Sequence, residues 1–381
     1  MAYFDNAATT FPKPECVYEF MNEFYRNCGG SFGRGKYDKA KSARFIVEDS
    51  RNRLKDILHC PSKEIIFEPS ATISLNIIIQ GILSQGIRDI YISPFEHNAV
   101  TRTLHAFEKK GQIRIHQLAV SSDLKYDLTR IRFQFEEIKP ELVIISHASN
   151  VIGLVAPIIE IFTIAKEFGA ITLADMAQTA GLLECDIGSD TVDFAVFAGH
   201  KTLMGPMGIS GFVMKPDFNL PATLFGGTGF ESANQDMPNS LPQKYEMGTM
   251  NTVGVAGLNA ALTWLQNHSI SAVRQKEYTN REKLLSLLKE YDFLKIIGQF
   301  PDNEYVGIIS CVMDGISSDS AEMIFSERGI SVRTGLQCAP LAHKLLGTFP
   351  SGTIRFSVSC LTSDEDFEKL EIALESIAEN Y

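Results

Sequence analysis

Between residues 64 and 214, short apolar runs rich in Ile, Val and Phe alternate with stretches of helical period. Seven runs read as strands: Glu64–Phe67, Asp89–Ser93, Arg114–Ala119, Leu142–Ser146, Ile171–Ala174, Phe194–Phe197 and Ile209–Met214. Most are apolar without alternation, the pattern of strands buried on both faces. Between two of them, Pro157–Phe168 carries a helical pattern opened by Pro157 and stopped by Gly169. Strands alternating with helices predict an α/β architecture with a mostly parallel seven-stranded sheet covered on both faces. Ligands of such sheets lie beyond the carboxyl ends of the strands.

After residue 250 the texture changes. Gly254–Asn267 and Ser271–Tyr291 predict long helices, and Tyr305–Met313 a strand. A helix opened by Asp319 follows, with Glu322 three residues on, and then strands near Ile330–Arg333 and Thr353–Ser357. A last helix starts at Thr362 with Glu365 three residues later, again the spacing of a capping box. This is the pattern of a smaller α+β domain, with a boundary near 250–265. No internal repeat or low-complexity linker interrupts the chain.

Composition narrows the function classes. The 381 residues are 45% hydrophobic and 21% charged, enough to bury a sizeable core. Lys+Arg 35 against Asp+Glu 46 leaves a net charge of −11, which argues against nucleic acid or an anionic membrane as the main partner. Seven cysteines, at 16, 28, 60, 185, 311, 338 and 360, include no C-x-x-C pair, so no metal site is expected. Reduced thiols and opening residues without a signal-peptide pattern point to a cytoplasmic protein. No apolar run is long enough to span a bilayer.

Four strand ends deliver polar clusters. Leu142–Ser146 runs into His147 and Asn150, Ile171–Ala174 into Asp175 and Gln178, Phe194–Phe197 into His200 and Lys201, and Asp89–Ser93 into Glu96 and His97. One Asp after a strand is usually a helix cap; four clusters on one sheet edge suit a pyridoxal cofactor. That cofactor needs a lysine to carry it, a carboxylate to keep its ring nitrogen protonated and backbone N–H groups for its phosphate. Gly226-Gly-Thr-Gly229 is Gly-rich but lacks the dinucleotide-binding spacing, so it reads as a turn or active-site loop. His147 and His343 read as structural.

Asp175-Met-Ala-Gln178 followed by His200-Lys201 resembles the D-x-A-Q…H-K signature of cysteine desulfurases, in the class V aminotransferase family. Asp5-Asn-Ala-Ala-Thr-Thr10, Phe67-Glu-Pro-Ser-Ala-Thr72, Glu96-His97-Asn-Ala-Val100, Ser149-Asn150-x-x-Gly153 and Arg333-Thr-Gly-Leu-Gln-Cys338-Ala match further motifs in family order. The resemblance implies a fold type I PLP-dependent transferase with a segment 1–20 joining the small domain, a large domain over 21–255 and a small one over 256–381. It implies pyridoxal 5'-phosphate on Lys201, with Asp175 at the ring nitrogen, Gln178 and Asn150 near the phenolic oxygen and His97 stacked on the ring. Ala71, Thr72 and His200 would bind phosphate, with Thr249 reaching the phosphate of a second subunit in a homodimer. Arg355 would clamp the carboxylate of L-cysteine, with Asn6 and Ala7 nearby.

Cys338, in a short loop beside Arg333, would take the sulfur as a persulfide after Lys201 removes the α-proton. The sulfur would pass to an acceptor protein of the SufE, SufU or IscU type, for iron–sulfur cluster assembly among other pathways. Selenocysteine lyase and other PLP-dependent β-lyases or aminotransferases are the rival activities. Rival structural readings are an ion pair for Arg355, satisfied core histidines for His97 and His200, and a small buried hydrophobe for Cys338. Two positions depart from the common family pattern. Ala198 replaces a serine, removing a phosphate hydroxyl worth roughly 1 kcal/mol. Leu336 stands where a histidine is common, and the short loop to Pro340 resembles the SufS-like branch.

Overall fold

The structure is a computed structural model and describes residues 1–28, 35–231 and 233–380. The chain opens with β1 (Ala2–Tyr3), α1 (Glu15–Cys28) and α2 (Asp38–Ile57). Next come β2 (Glu64–Glu68), α3 (Ala71–Leu83), β3 (Asp89–Ile92), α4 (Asn98–Glu108), β4 (Arg114–Gln117) and α5 (Leu128–Glu137). The middle holds β5 (Leu142–Ser146), α6 (Ile158–Glu167), β6 (Ile171–Asp175), β7 (Phe194–Ala198) and β8 (Ser210–Met214). The last third adds α7 (Thr252–His268), α8 (Ile270–Lys289), β9 (Leu294–Ile297), β10 (Ile308–Met313) and α9 (Ser318–Glu327). It closes with β11 (Ile330–Ser331), β12 (Arg333–Gly335), α10 (Pro340–Leu345), β13 (Thr353–Ser357) and α11 (Asp364–Ala378).

The seven expected strands form one sheet in the order β2-β8-β7-β6-β5-β3-β4. The pairs from β7 through β4 are parallel, and β8 runs against both its neighbours. Six strands therefore point one way. Period-2 geometry splits each apolar run between two cores. Ile65, Val143, Ile145, Ala195 and Phe197 enter one, and Ile66, Leu142, Ile144, Phe194 and Val196 the other. From β3 the chain moves outward to β4, whereas from β5 it moves the opposite way through β6 and β7. The strand order thus switches between β3 and β5, where an open α/β sheet leaves a crevice at its carboxyl edge.

A second sheet, β12-β13-β10-β9, packs with α8, α9 and α11 around Phe4, Leu284, Phe325, Phe356 and Leu374. The amino terminus joins this body: β1 pairs with β11 in parallel, and Asp5 bridges to Ser357. α7 carries its apolar side chains into the core of the first sheet and packs against α1 and α2.

Two expected caps fall elsewhere. Ser317, not Asp319, caps α9, its hydroxyl accepting from Ser320 N–H. Ser363 and Asp366 form the capping box of α11, because the Thr362 hydroxyl is already engaged by Ser359 N–H. Among the described residues no helix is long and apolar enough to cross a membrane.

Candidate active site

Strand ends and helix starts build the cavity at the switch point. Ser70 caps α3 and accepts from Ile73 N–H, which leaves the Ala71 and Thr72 amides in the open first turn. His97 caps α4: its Nδ1 accepts from Ala99 N–H at 3.0 Å, so Nε2 is the ring nitrogen free for the cavity. Asp175 ends β6 and is fixed by Ala177 N–H at 2.9 Å. Lys201 follows β7 through Gly199, where a Cβ would lie 2.4 Å from the Ile209 carbonyl oxygen, so only glycine fits. Ala71, Thr72, His97, Asn150, Asp175, Gln178, His200 and Lys201 all line this one cavity.

The electrostatics are those of a reactive site. Burial lowers the Lys201 amine to about 8, against the opposing pull of Asp175. Burial lowers His97, and brings His200 down to about 4 with help from Lys201 and Lys13. Both imidazoles are therefore neutral near pH 7. His200 Nδ1 is buried with no hydrogen-bond partner among the described residues. The carbonyl of His200 is held by Thr9 Oγ1 (3.0 Å), Thr10 N–H (3.2 Å) and Lys13 Nζ (2.5 Å), so the amino-terminal segment braces the stretch that carries Lys201.

Arg355 lies 3% exposed beside this cavity, close enough to influence Lys201. Its Nη1 donates to the Asn150 carbonyl at 2.9 Å and its Nη2 to Asp5 Oδ1 at 2.9 Å, while Nε has no partner among the described residues. The ion pair weighed as a rival reading is thus present, with one donor left over. Asp5 also accepts from Arg333 Nη2 at 2.7 Å. Sequence reading passed over Asp5 in favour of its neighbours, though it opens the D-N-A-A-T-T run.

Cys338 is the exposed cysteine of the seven, and its charge bears on both Lys201 and Arg355. Its loop is tightly held. Gln337 and Cys338 both have positive φ, 38° and 57°. Asn150 Nδ2 donates to Gln337 O at 2.6 Å, and Asn98 N–H to Cys338 O at 2.6 Å. The Gln337 side chain is buried, donating to Thr353 O at 3.0 Å and pairing through Oε1 with His343 Nε2 at 2.9 Å. His343 is structural in this sense, as is His147, whose Nδ1 meets Thr179 Oγ1 at 2.9 Å.

Three expected residues lie outside this chain's own Lys201 cavity, as the role expected of Thr249 in a second subunit's site allows. Asn6 spends its amide on Ser357 O (2.9 Å) and Phe11 N–H (3.2 Å), and both Asn6 and Ala7 border a separate cavity of about 20 Å³. The Ala7 carbonyl accepts from Gln178 Nε2 at 2.9 Å, so it acts on the site from behind. Thr249 is exposed and lines no part of the Lys201 cavity. Glu96, named in the sequence without a role, is fully buried, accepting from Ser93 Oγ, Ser146 N–H and Ser146 Oγ at 2.5–2.9 Å. Burial raises its carboxyl to about 8 against those bonds.

Known proteins place this arrangement. The model of the family Aminotransferase class-V matches residues 2–370. A probable cysteine desulfurase of Haemophilus influenzae is 30% identical, covering 98% of this chain and 85% of its own. Another, of Methanothermobacter thermautotrophicus, is 29% identical over 99% of this chain and 94% of its own. The apo structure of the cysteine desulfurase from Thermococcus onnurineus superposes with a TM-score of 0.89 at 26% identity, covering 100% of this chain and 95% of its own. The Escherichia coli cysteine desulfurase CsdA, in an S-sulfonic acid form, gives 0.83 at 25% identity, covering 99% and 94%. The chain belongs to the class V aminotransferase family, in its cysteine desulfurase group.

Proposed function

We propose that this protein is a cytoplasmic, homodimeric cysteine desulfurase that converts L-cysteine to L-alanine and passes the sulfur, held on Cys338, to an acceptor protein for iron–sulfur cluster assembly. The observation that carries the reading is a cavity lined by Lys201, Asp175 and Asn150, with the loop of exposed Cys338 tied to it by the 2.6 Å bond from Asn150 Nδ2 to Gln337 O.

The cofactor of this family is PLP, and the donor set suits it. The orphaned, buried His200 Nδ1 and the open first turn of α3 offer hydrogen-bonding groups to a phosphate, and Asp175 offers a carboxylate to a ring nitrogen. Lys201 would carry the group, His97 would face its ring, and Asn150 and Gln178 would contact its edge. When bound, PLP supplies the electron sink that makes the substrate α-proton acidic.

The chain's own residues do the rest. Arg355 orients the substrate carboxylate. Lys201 Nζ, with its lowered basicity, takes the α-proton and can return it near neutral pH. The Cys338 thiolate attacks the substrate sulfur and the carbon–sulfur bond breaks; its electron pair stays with the substrate β-carbon, which is reduced and protonated to give alanine, while the two sulfurs are oxidised to a persulfide on Cys338. Nothing else in the reaction is oxidised or reduced. An exposed face with Phe225 (76%) and Leu224 (41%), tied to Thr249's segment by the Gly248 N–H to Gly227 O bond of 2.8 Å, supports a subunit contact there.

The test is direct. Purified protein should be yellow, turn over L-cysteine to alanine, and lose both properties in Lys201→Ala. A colourless wild type with no affinity for PLP would overturn the assignment.

A further inference from the structure

Cys338 borders a second depression, distinct from the Lys201 cavity. This groove, of about 780 Å³, lies between α4, β4 and the start of α10. Ile92, Ile115 and Leu341 give it an apolar lining. Arg102 from α4 and Lys344 from α10 also line it, both exposed, and among the described residues neither meets a carboxylate. The carboxylate in the lining, Glu108, is engaged by His105 at 3.4 Å. On a chain of net charge −11, two cations without a carboxylate partner among the described residues, Arg102 and Lys344 (its Nζ 5.4 Å from the Phe349 ring centroid), share the groove with the Cys338 thiol.

The loop is built to hold the thiol there. Asn98, at the first turn of α4, donates its N–H to the Cys338 carbonyl at 2.6 Å, and Gln337 is anchored to His343 and Thr353. Cys338 therefore lines the groove, while its loop is tied by Asn98 and by Asn150, a residue of the Lys201 cavity, to the inner site from which sulfur would arrive.

We propose that this groove is the docking surface for the sulfur acceptor, and that it selects a protein segment with carboxylates flanking an accessible cysteine. The proposal rests on the desulfurase reading above. The acceptor's thiolate attacks the outer sulfur of the Cys338 persulfide. The sulfur–sulfur bond to Cys338 breaks, a new one forms on the acceptor, and Cys338 leaves as thiolate, with no net oxidation. Arg102 and Lys344 draw in the acidic segment, and the apolar lining accepts its nonpolar side chains.

The experiment loads Cys338 of the holoenzyme with L-cysteine, removes excess substrate, and offers two synthetic peptides. Each has one cysteine, flanked by Glu and Asp in one and by Lys in the other. Transfer to the acidic peptide should be about tenfold faster at low salt, fall toward the basic one as salt rises, and reverse in R102E/K344E. Equal rates, or a preference unchanged by R102E/K344E, would overturn the proposal. So would equally fast transfer to free dithiothreitol, which assigns the groove to small thiols. Loss of the native oligomer in R102E/K344E, seen by light scattering, would assign it to a second copy and also overturn it.

Failure of the underlying reading shows separately, as no sulfur on Cys338 after L-cysteine. The charge preference is then read from thiol modification by anionic 5,5'-dithiobis(2-nitrobenzoate) against cationic cystamine, with Cys338→Ala as the blank. The anionic reagent should react faster in wild type and slower in R102E/K344E; no difference would overturn the proposal.

Discussion

Asp5→Asn isolates what holds Arg355, the arginine proposed to orient the substrate carboxylate. The carboxylate accepts from Arg355 at 2.9 Å and from Arg333 at 2.7 Å. Arg333 has a side chain 52% exposed, so its share is small. Arg355 has a side chain 4% exposed, and the substitution leaves it with the Asn150 carbonyl and no counter-charge. Breaking a buried pair from one side costs about 3 kcal/mol or more. For 381 residues an unfolding entropy of about 2.1 cal/mol/K per residue sums to about 0.8 kcal/mol/K, so Tm should fall by about 4 °C. The freed guanidinium also loses its orientation, and KM for L-cysteine should rise about tenfold with kcat less affected. A small carboxylate such as propionate should recover part of the Tm in Asp5→Asn and little in wild type. Melting within about 1 °C of wild type, together with an unchanged KM, would show that Asp5 does not set Arg355.

Two further substitutions probe buried groups. Glu96, raised from 4.5 to about 8, is protonated in the fold at neutral pH, so its stabilising contribution is complete below pH 4.5 and lost as pH rises through 8. Glu96→Gln removes that loss: its stability relative to wild type should grow between pH 5 and 8.5 by several kcal/mol, and a flat difference in denaturant titrations would contradict it. Gln337→Ala unfastens the Cys338 loop from His343 and Thr353. Alkylation of Cys338 should then quicken while alanine formation slows, and unchanged values of both would remove the side chain from any positioning role.

The sheet was legible because most of its strands are short apolar runs ending in polar residues, the edge strand Arg114–Gln117 being the polar exception. The same feature exposed Lys201, Asp175, His97, Asn150 and Gln178, each at or just past a strand's carboxyl end. What was hidden depended on contacts between distant segments. Asp5 meets Arg355 only because β1 joins β11 and Asp5 bridges to β13. That packing sets the Asn6 amide against the Ser357 carbonyl. α2 escaped notice because its buried face is largely Ala40, Ala43, Ser50 and Arg51, small or polar residues that blur the apolar period. Gln337 carried no signal in the sequence beyond its place in the loop, yet its side chain bonds Thr353 O and His343 beneath Cys338.

The central claim is that sulfur leaves L-cysteine for Cys338 in a reaction that needs Lys201. Holoenzyme mixed with L-cysteine, stopped with an alkylating reagent and digested, can be read by mass spectrometry of the peptide carrying Cys338. The account requires one added sulfur on that cysteine in wild type and none in Lys201→Ala, with alanine formation abolished in Cys338→Ala. Sulfur on a different cysteine, or undiminished alanine formation by Cys338→Ala, would contradict it.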